Sequence, residues 1–196
     1  MFAGGQLDDN KYSSTVDVLD ASACYGGAYY AADPSTCMVM GSPLTMTTAR
    51  SSLSVASFVG SGNVGGGAAM FAGGKTEVRD TSGKNWIPVP WATSDYYISA
   101  GGSGPITDLA WFNLSTPRFD LAGIGFDIYG SGGKQQALFA GGSYADKSTS
   151  DVVDAFTFDG AIPDVYTLQM SQSRTRPQLG QLGNRFAIRP SLSVIL

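Results

Sequence analysis

The sequence predicts an all-β fold built from about three four-stranded units, and three observations carry that prediction. Glycine is abundant at 26 copies among many Ser, Thr, Val, Phe and Tyr, while the helix builders Lys, Glu and Leu are sparse; that balance favours short strands joined by tight turns. The tetrapeptide Phe-Ala-Gly-Gly occurs three times, at 2–5, 71–74 and 139–142, so its period is nearly constant. Between these landmarks, short apolar runs are bounded by Gly, Ser and Asp, a strand signal. At 196 residues and 43% hydrophobic content, the chain is long enough to bury a sizeable core.

The flanks of the tetrapeptide recur as well. Arg50 stands as far before Phe71 as Arg118 does before Phe139, and Arg174 opens the pattern again. Met46 and Met170 share one offset before Arg50 and Arg174. Each unit then reads in order. Strand a follows the arginine (52–59 and 120–129), a Gly-rich turn leads to strand b (68–74 and 136–142), a polar loop leads to strand c (15–19 and 152–158), and strand d closes the unit (165–170). Asp17 follows Phe2 at the same distance as Asp154 follows Phe139; in the second copy that position is Trp86. Four antiparallel strands per repeat make a propeller blade.

The expected organisation is a single segment, 1–196. Blade I covers 1–43 and lacks strand a, because Met1 aligns with Met70 and Leu138. Blade II covers 44–113, blade III 114–169, and the start of blade IV 170–196, with a-like and b-like strands at 178–182 and 185–190. That arrangement reads as a partial ring or a fragment of a larger propeller. The stretches from Phe2 to Arg50 and from Phe71 to Arg118 nearly match in length, and both exceed the one from Phe139 to Arg174. The extra length is expected between strands c and d, at 21–37 and 89–111.

An arginine, a strand, a turn, an apolar strand ending in Gly-Gly, a polar loop and a V-x-V/F-x-x-D-like strand resemble the kelch repeat over nearly the whole chain. The aromatic spacing after the double glycine departs from that family, and the period of ~68 residues exceeds the ~50 of a kelch blade. The resemblance implies a noncatalytic propeller that scaffolds protein–protein interaction or assembly. It also implies that Arg50, Arg118 and Arg174 line a charged binding face; the competing reading ties each arginine to neighbouring carbonyls.

Blade geometry sorts the loops into two surfaces. The b–c loops collect Asp8, Asp9, Lys11, Lys75, Glu77, Arg79, Asp80, Asp146, Lys147 and Asp151 into a mixed-charge rim. The two insertions collect Tyr25, Tyr29, Tyr30, Trp91, Tyr96, Tyr97 and Trp111 on the opposite side. Aromatics with few charges suit a protein interface or a sugar-stacking surface; the competing reading is that the insertions bury their own rings.

Composition removes several classes of function. The chain has no histidine, which excludes Ser-His-Asp and Cys-His catalysis and His-ligated metals. Glu77 is the sole glutamate. No catalytic residue, metal or cofactor is expected. A net charge of −4 without a basic run argues against nucleic acid, and no apolar stretch approaches the length of a membrane-spanning helix. The GSGNVG at 60–65 matches a dinucleotide fingerprint, but no helix is expected after it and it reads as a turn. Asp8-Asp9-Asn10 lacks the rest of a calcium loop.

Cys24 and Cys37 are the two cysteines, expected to form a disulfide within the first insertion, against the alternative of two free buried thiols. Asn113-Leu114-Ser115 is a glycosylation sequon. Both features point toward an extracellular or other oxidising compartment. Together with Trp91, Tyr96 and Tyr97 they motivate an alternative reading, an extracellular carbohydrate-binding or adhesion module. A sugar-modifying enzyme of kelch fold is a third.

Overall fold

The computed structural model describes residues 1–7, 11–17, 44–58, 67–99, 106–128, 134–158, 163–182 and 185–189. Among these, all regular structure is β-strand, and every strand pair is antiparallel. The chain divides into two compact units, Met1–Arg50 and Ser51–Leu196.

The first unit holds one three-stranded sheet of β1 (Phe2–Ala3), β2 (Thr15–Asp17) and β3 (Leu44–Thr45), in that order. These occupy the places of strands b, c and d. β3 lies just past the expected blade I boundary. Phe2 pairs in register with Asp17, and Gly4 and Gly5 follow β1 with φ of 68° and 116°.

The second unit contains two four-stranded sheets. One orders β4 (Ser54–Phe58), β5 (Ala68–Ala72), β8 (Thr93–Ser99) and β9 (Ile106–Asn113). The other orders β10 (Ala122–Asp127), β11 (Gln135–Ala140), β12 (Ser150–Phe158) and β13 (Asp164–Arg174). Among its described residues are also two hairpins, β6 (Lys75–Arg79) with β7 (Trp86–Pro90), and β14 (Gln178–Leu182) with β15 (Arg185–Arg189).

One expectation is corrected here. The extra length of the second repeat lies between strands b and c, as the β6–β7 hairpin. The stretch 89–111, expected as an insertion, contains most of β8 and β9, which are strands c and d. Register identifies the true counterpart of Asp17 and Asp154: Phe71 pairs with Asp95, as Phe139 pairs with Asp154. Trp86 pairs with Arg79 in the hairpin instead.

The core sits between the two four-stranded sheets. β5 is apolar on both faces because it is a central strand, and all five of its residues are buried. Ala56, Phe58, Met70 and Tyr96 of one sheet pack with Phe139, Phe156 and Phe158 of the other and with Leu121, which precedes β10. Tyr96 stacks on Phe158 at 4.5 Å, and Phe58 meets Phe158 edge-on at 5.5 Å; such ring pairs add about 0.5–1.5 kcal/mol each beyond area burial. Backbone approach sets the sheet spacing. A Cβ on Gly125 would overlap the Ser57 backbone, and one on Gly123 would lie 2.5 Å from the Val55 carbonyl. Phe126, Leu138, Ala140, Val153 and Ala155 line the opposite face of the β10–β13 sheet, where Leu179 of β14 packs.

Candidate functional site

Arg118 leaves the segment after β9 and turns into the β10–β13 sheet. Its Nη1 donates to the Gly141 carbonyl at 2.7 Å and the Val152 carbonyl at 2.8 Å, and its Nη2 donates to Asp154 Oδ2. Asp154 Oδ1 accepts from the Ser115 N–H at 3.2 Å. Both charged side chains are fully buried. Burial pulls the Arg118 pKa below its usual value, and the neighbouring Asp154 charge opposes that shift. One guanidinium thus ties strands b and c together beneath the Gly-Gly turn. The turn needs glycine: Gly141 has φ of 65°, and a Cβ there would lie 2.5 Å from the Arg174 carbonyl. The arginine acts as a clamp on its own sheet and offers no charged surface.

The other arginines occupy related places. Arg50 is fully buried, and its carbonyl accepts from Gly5 N–H at 3.0 Å. Arg174 is half-buried, and its Nη2 donates to Gln172 Oε1 at 3.3 Å. The charged face expected from Arg50 and Arg118 is therefore replaced by buried polar groups, because each guanidinium lies inward.

The expected aromatic face is also redistributed. Tyr96 and Tyr97 lie in β8 and are 2% and 1% exposed. As neighbours on a central strand, they point to opposite faces and both faces are covered. Tyr97 packs edge-on to Phe71 at 5.9 Å, and burial raises the Tyr96 hydroxyl pKa to about 12. Trp91 is half-buried, with Nε1 donating to Thr76 Oγ1 at 3.3 Å. Trp111 lies in β9 opposite Asp95. Asn113 ends β9 and is exposed. Tyr25, Tyr29, Tyr30, Cys24 and Cys37 lie outside the described residues, as do Asp8, Asp9 and the 60–65 glycine run.

The surface feature that the sequence reading passed over is the β6–β7 hairpin. Val78 pairs with Ile87 on one face and Arg79 with Trp86 on the other. Val78, Trp86 and Ile87 are 48%, 38% and 43% exposed. The Arg79 guanidinium lies 4.3 Å from the Trp86 ring centroid, and its Nη1 donates to the Gly83 carbonyl at 2.9 Å. Asp80 holds the turn by accepting from Ser82 Oγ, Lys84 N–H and Asn85 Nδ2. Those hydrogen bonds lower its pKa to about 2. At the base, Lys75 pairs with Glu77 at 2.6 Å. The signal available in the sequence was a Thr-Ser-Gly turn between Val78 and Trp86-Ile87.

Among the described residues, no group of three or more His, Cys, Asp and Glu side chains is placed to hold a metal ion. No described helix is long and apolar enough to cross a membrane. No protein-family model matches the chain, and no curated protein matches it.

Proposed function

We propose that the chain is a run of kelch-type propeller blades that serves as a noncatalytic scaffold, joining a partner protein within a larger assembly. The observation that carries this reading is the β6–β7 hairpin. It is inserted into the second repeat alone, is stiffened at its turn by Asp80, and presents Trp86, Arg79, Val78 and Ile87 to solvent. Trp and Arg are the side chains most enriched at the energetic centres of protein interfaces.

The placement of the polar groups supports the same reading. Arg118 and Asp154 form a buried ion pair that an active-site reading would seize on, and their hydrogen bonds go to the main chain and to each other. Four-stranded sheets linked through an arginine and a Gly-Gly turn also support the propeller assignment. The carbohydrate reading draws less support, since Tyr96 and Tyr97 are buried and Trp91 is half-covered.

The reading is tested by isolating the chain from its source under non-denaturing conditions and measuring the native mass. A stoichiometric complex with a second protein, lost on substitution of Trp86 and Ile87, is the expected result. A monodisperse free monomer overturns it.

A further inference from the structure

The β6–β7 hairpin carries a charge opposite to that of the chain. Residues 75–90 hold three cations, Lys75, Arg79 and Lys84, against two carboxylates, Glu77 and Asp80, for a net +1 in a chain of net −4. Both carboxylates are engaged within the hairpin. Glu77 Oε1 lies 2.6 Å from Lys75 Nζ. Asp80 Oδ1 accepts from Ser82 Oγ at 2.7 Å and from Lys84 N–H at 3.0 Å, and Oδ2 accepts from Asn85 Nδ2 at 2.7 Å.

Arg79 and Lys84 are exposed, and among the described residues no carboxylate pairs with either. Arg79 is nevertheless held in place. Its guanidinium lies over the ring of Trp86, its register partner, and Nη1 donates to the Gly83 carbonyl. Lys84 follows that carbonyl in the chain, so both charges border one turn beside one aromatic ring. Arg79 Nε and Nη2 make no hydrogen bond to a described residue. Those two nitrogens form one edge of the planar group, and such an edge takes a carboxylate through two parallel hydrogen bonds. A guanidinium fixed by stacking loses little freedom when the carboxylate docks. A nucleic-acid backbone is the other anion to weigh, but two cations in an acidic chain make too small a footprint for it.

We propose that the Arg79–Trp86 face of the hairpin binds an acidic segment of the partner protein. An Asp or Glu carboxylate of that segment sits on the Nε–Nη2 edge of Arg79 beside Lys84, and an apolar neighbour of the carboxylate covers Trp86. The buried ring supplies binding energy, and the charges select the partner and speed its association. This inference rests on the scaffold reading and names the chemistry of the partner segment.

The test uses the complex isolated from its source, and the chain and partner separated from it. A water-soluble carbodiimide, which joins an amine to a carboxylate in contact, should link Lys84 to an Asp or Glu of the partner, located by mass spectrometry of the digest. Arg79→Glu with Lys84→Glu should weaken binding at least about tenfold by calorimetry and flatten its dependence on salt. Lys147→Glu, at an exposed lysine in a different turn, should change both little. Circular dichroism checks the fold of the variants, and the cross-link is read on the parent chain. A charge-reversed chain that binds like the parent overturns the proposal, as does a parent complex in which Lys84 is not linked to the partner, or one that nuclease dissolves. In the first two cases the complex itself leaves the scaffold reading standing; a chain with no partner at all overturns both.

Discussion

Arg118 and Asp154 form an ion pair with both side chains fully buried, although they are far apart in sequence. The same guanidinium holds the Gly141 and Val152 carbonyls, so strands b and c and the segment entering strand a meet at one group. Removing two charges from water is costly; the hydrogen bonds of Nη1 and Nη2 offset that cost, while the buried Nε has no partner. In the third repeat the distance from Arg118 to Phe-Ala-Gly-Gly lets the guanidinium reach the carbonyl of that turn's Gly141.

The Gly-Gly turns are predicted to be far less tolerant than the hairpin turn. Gly73 has φ of 66°, and a Cβ there would lie 2.6 Å from the Arg118 carbonyl. Gly83 has φ of 70° with nothing within 4 Å. Gly83→Ala should cost about 1–2 kcal/mol from backbone strain, and Gly73→Ala about 2–4 kcal/mol once overpacking is added. Urea unfolding of the two variants measures the difference.

Asp80 is predicted to keep the β6–β7 turn ordered well into acid. Its folded pKa of about 2 lies below its ordinary 3.8, so its contribution is complete above the ordinary value and is lost as pH falls through the folded one. Amide NMR signals of Lys84 and Asn85 should hold their positions down to about pH 4 and shift only on approach to pH 2. Asp80→Asn should abolish that titration.

Trp86 and Ile87 are predicted to matter more for association than for folding. Trp86→Ala with Ile87→Ala should lower the unfolding free energy by no more than about 1–2 kcal/mol, from the lost cross-strand pairs and the Arg79 contact. It should weaken partner binding by about 2 kcal/mol or more. Calorimetry on the isolated complex checks the second figure, and equal affinity would remove the hairpin from the interface.

Tyr96 is predicted to be a packing residue with a late hydroxyl titration. Its folded pKa of about 12 exceeds its ordinary 10.0. The associated stability is present below pH 10 and is lost as pH rises through the folded value. Ultraviolet titration should show Tyr96 ionising at about pH 12, and Tyr96→Phe should remove that step with little loss of stability. Tyr96→Ala should cost about 3–5 kcal/mol through the cavity it opens.

Much of the fold is legible in the sequence where spacing is free of insertions. Strand a of the last repeat is expected at 178–182, and β14 spans Gln178–Leu182. Strand c of the third repeat is read at 152–158 inside β12, because Asp154 keeps its distance from Phe139. The second repeat defeats the same count. The hairpin moves Asp95 farther past Phe71 than Asp154 stands past Phe139, and leaves Trp86 at the counted position. Asp-x-aromatic, shared by Asp95-x-Tyr97 and Asp154-x-Phe156, survives the insertion because strand alternation is local. The aromatic face was misplaced for a related reason. Clustering along the chain does not distinguish a central strand, covered on both faces, from an exposed loop.

Arg118 is a clamp on the sheet and not a binding group, and a double-mutant cycle on Arg118 and Asp154, read by urea unfolding, tests this directly. Arg118→Ala and Asp154→Asn should each cost about 3–5 kcal/mol, since each strands a buried charge, and the double variant should cost little more than the worse single. Single variants as stable as the parent, with partner binding lost, would contradict the claim.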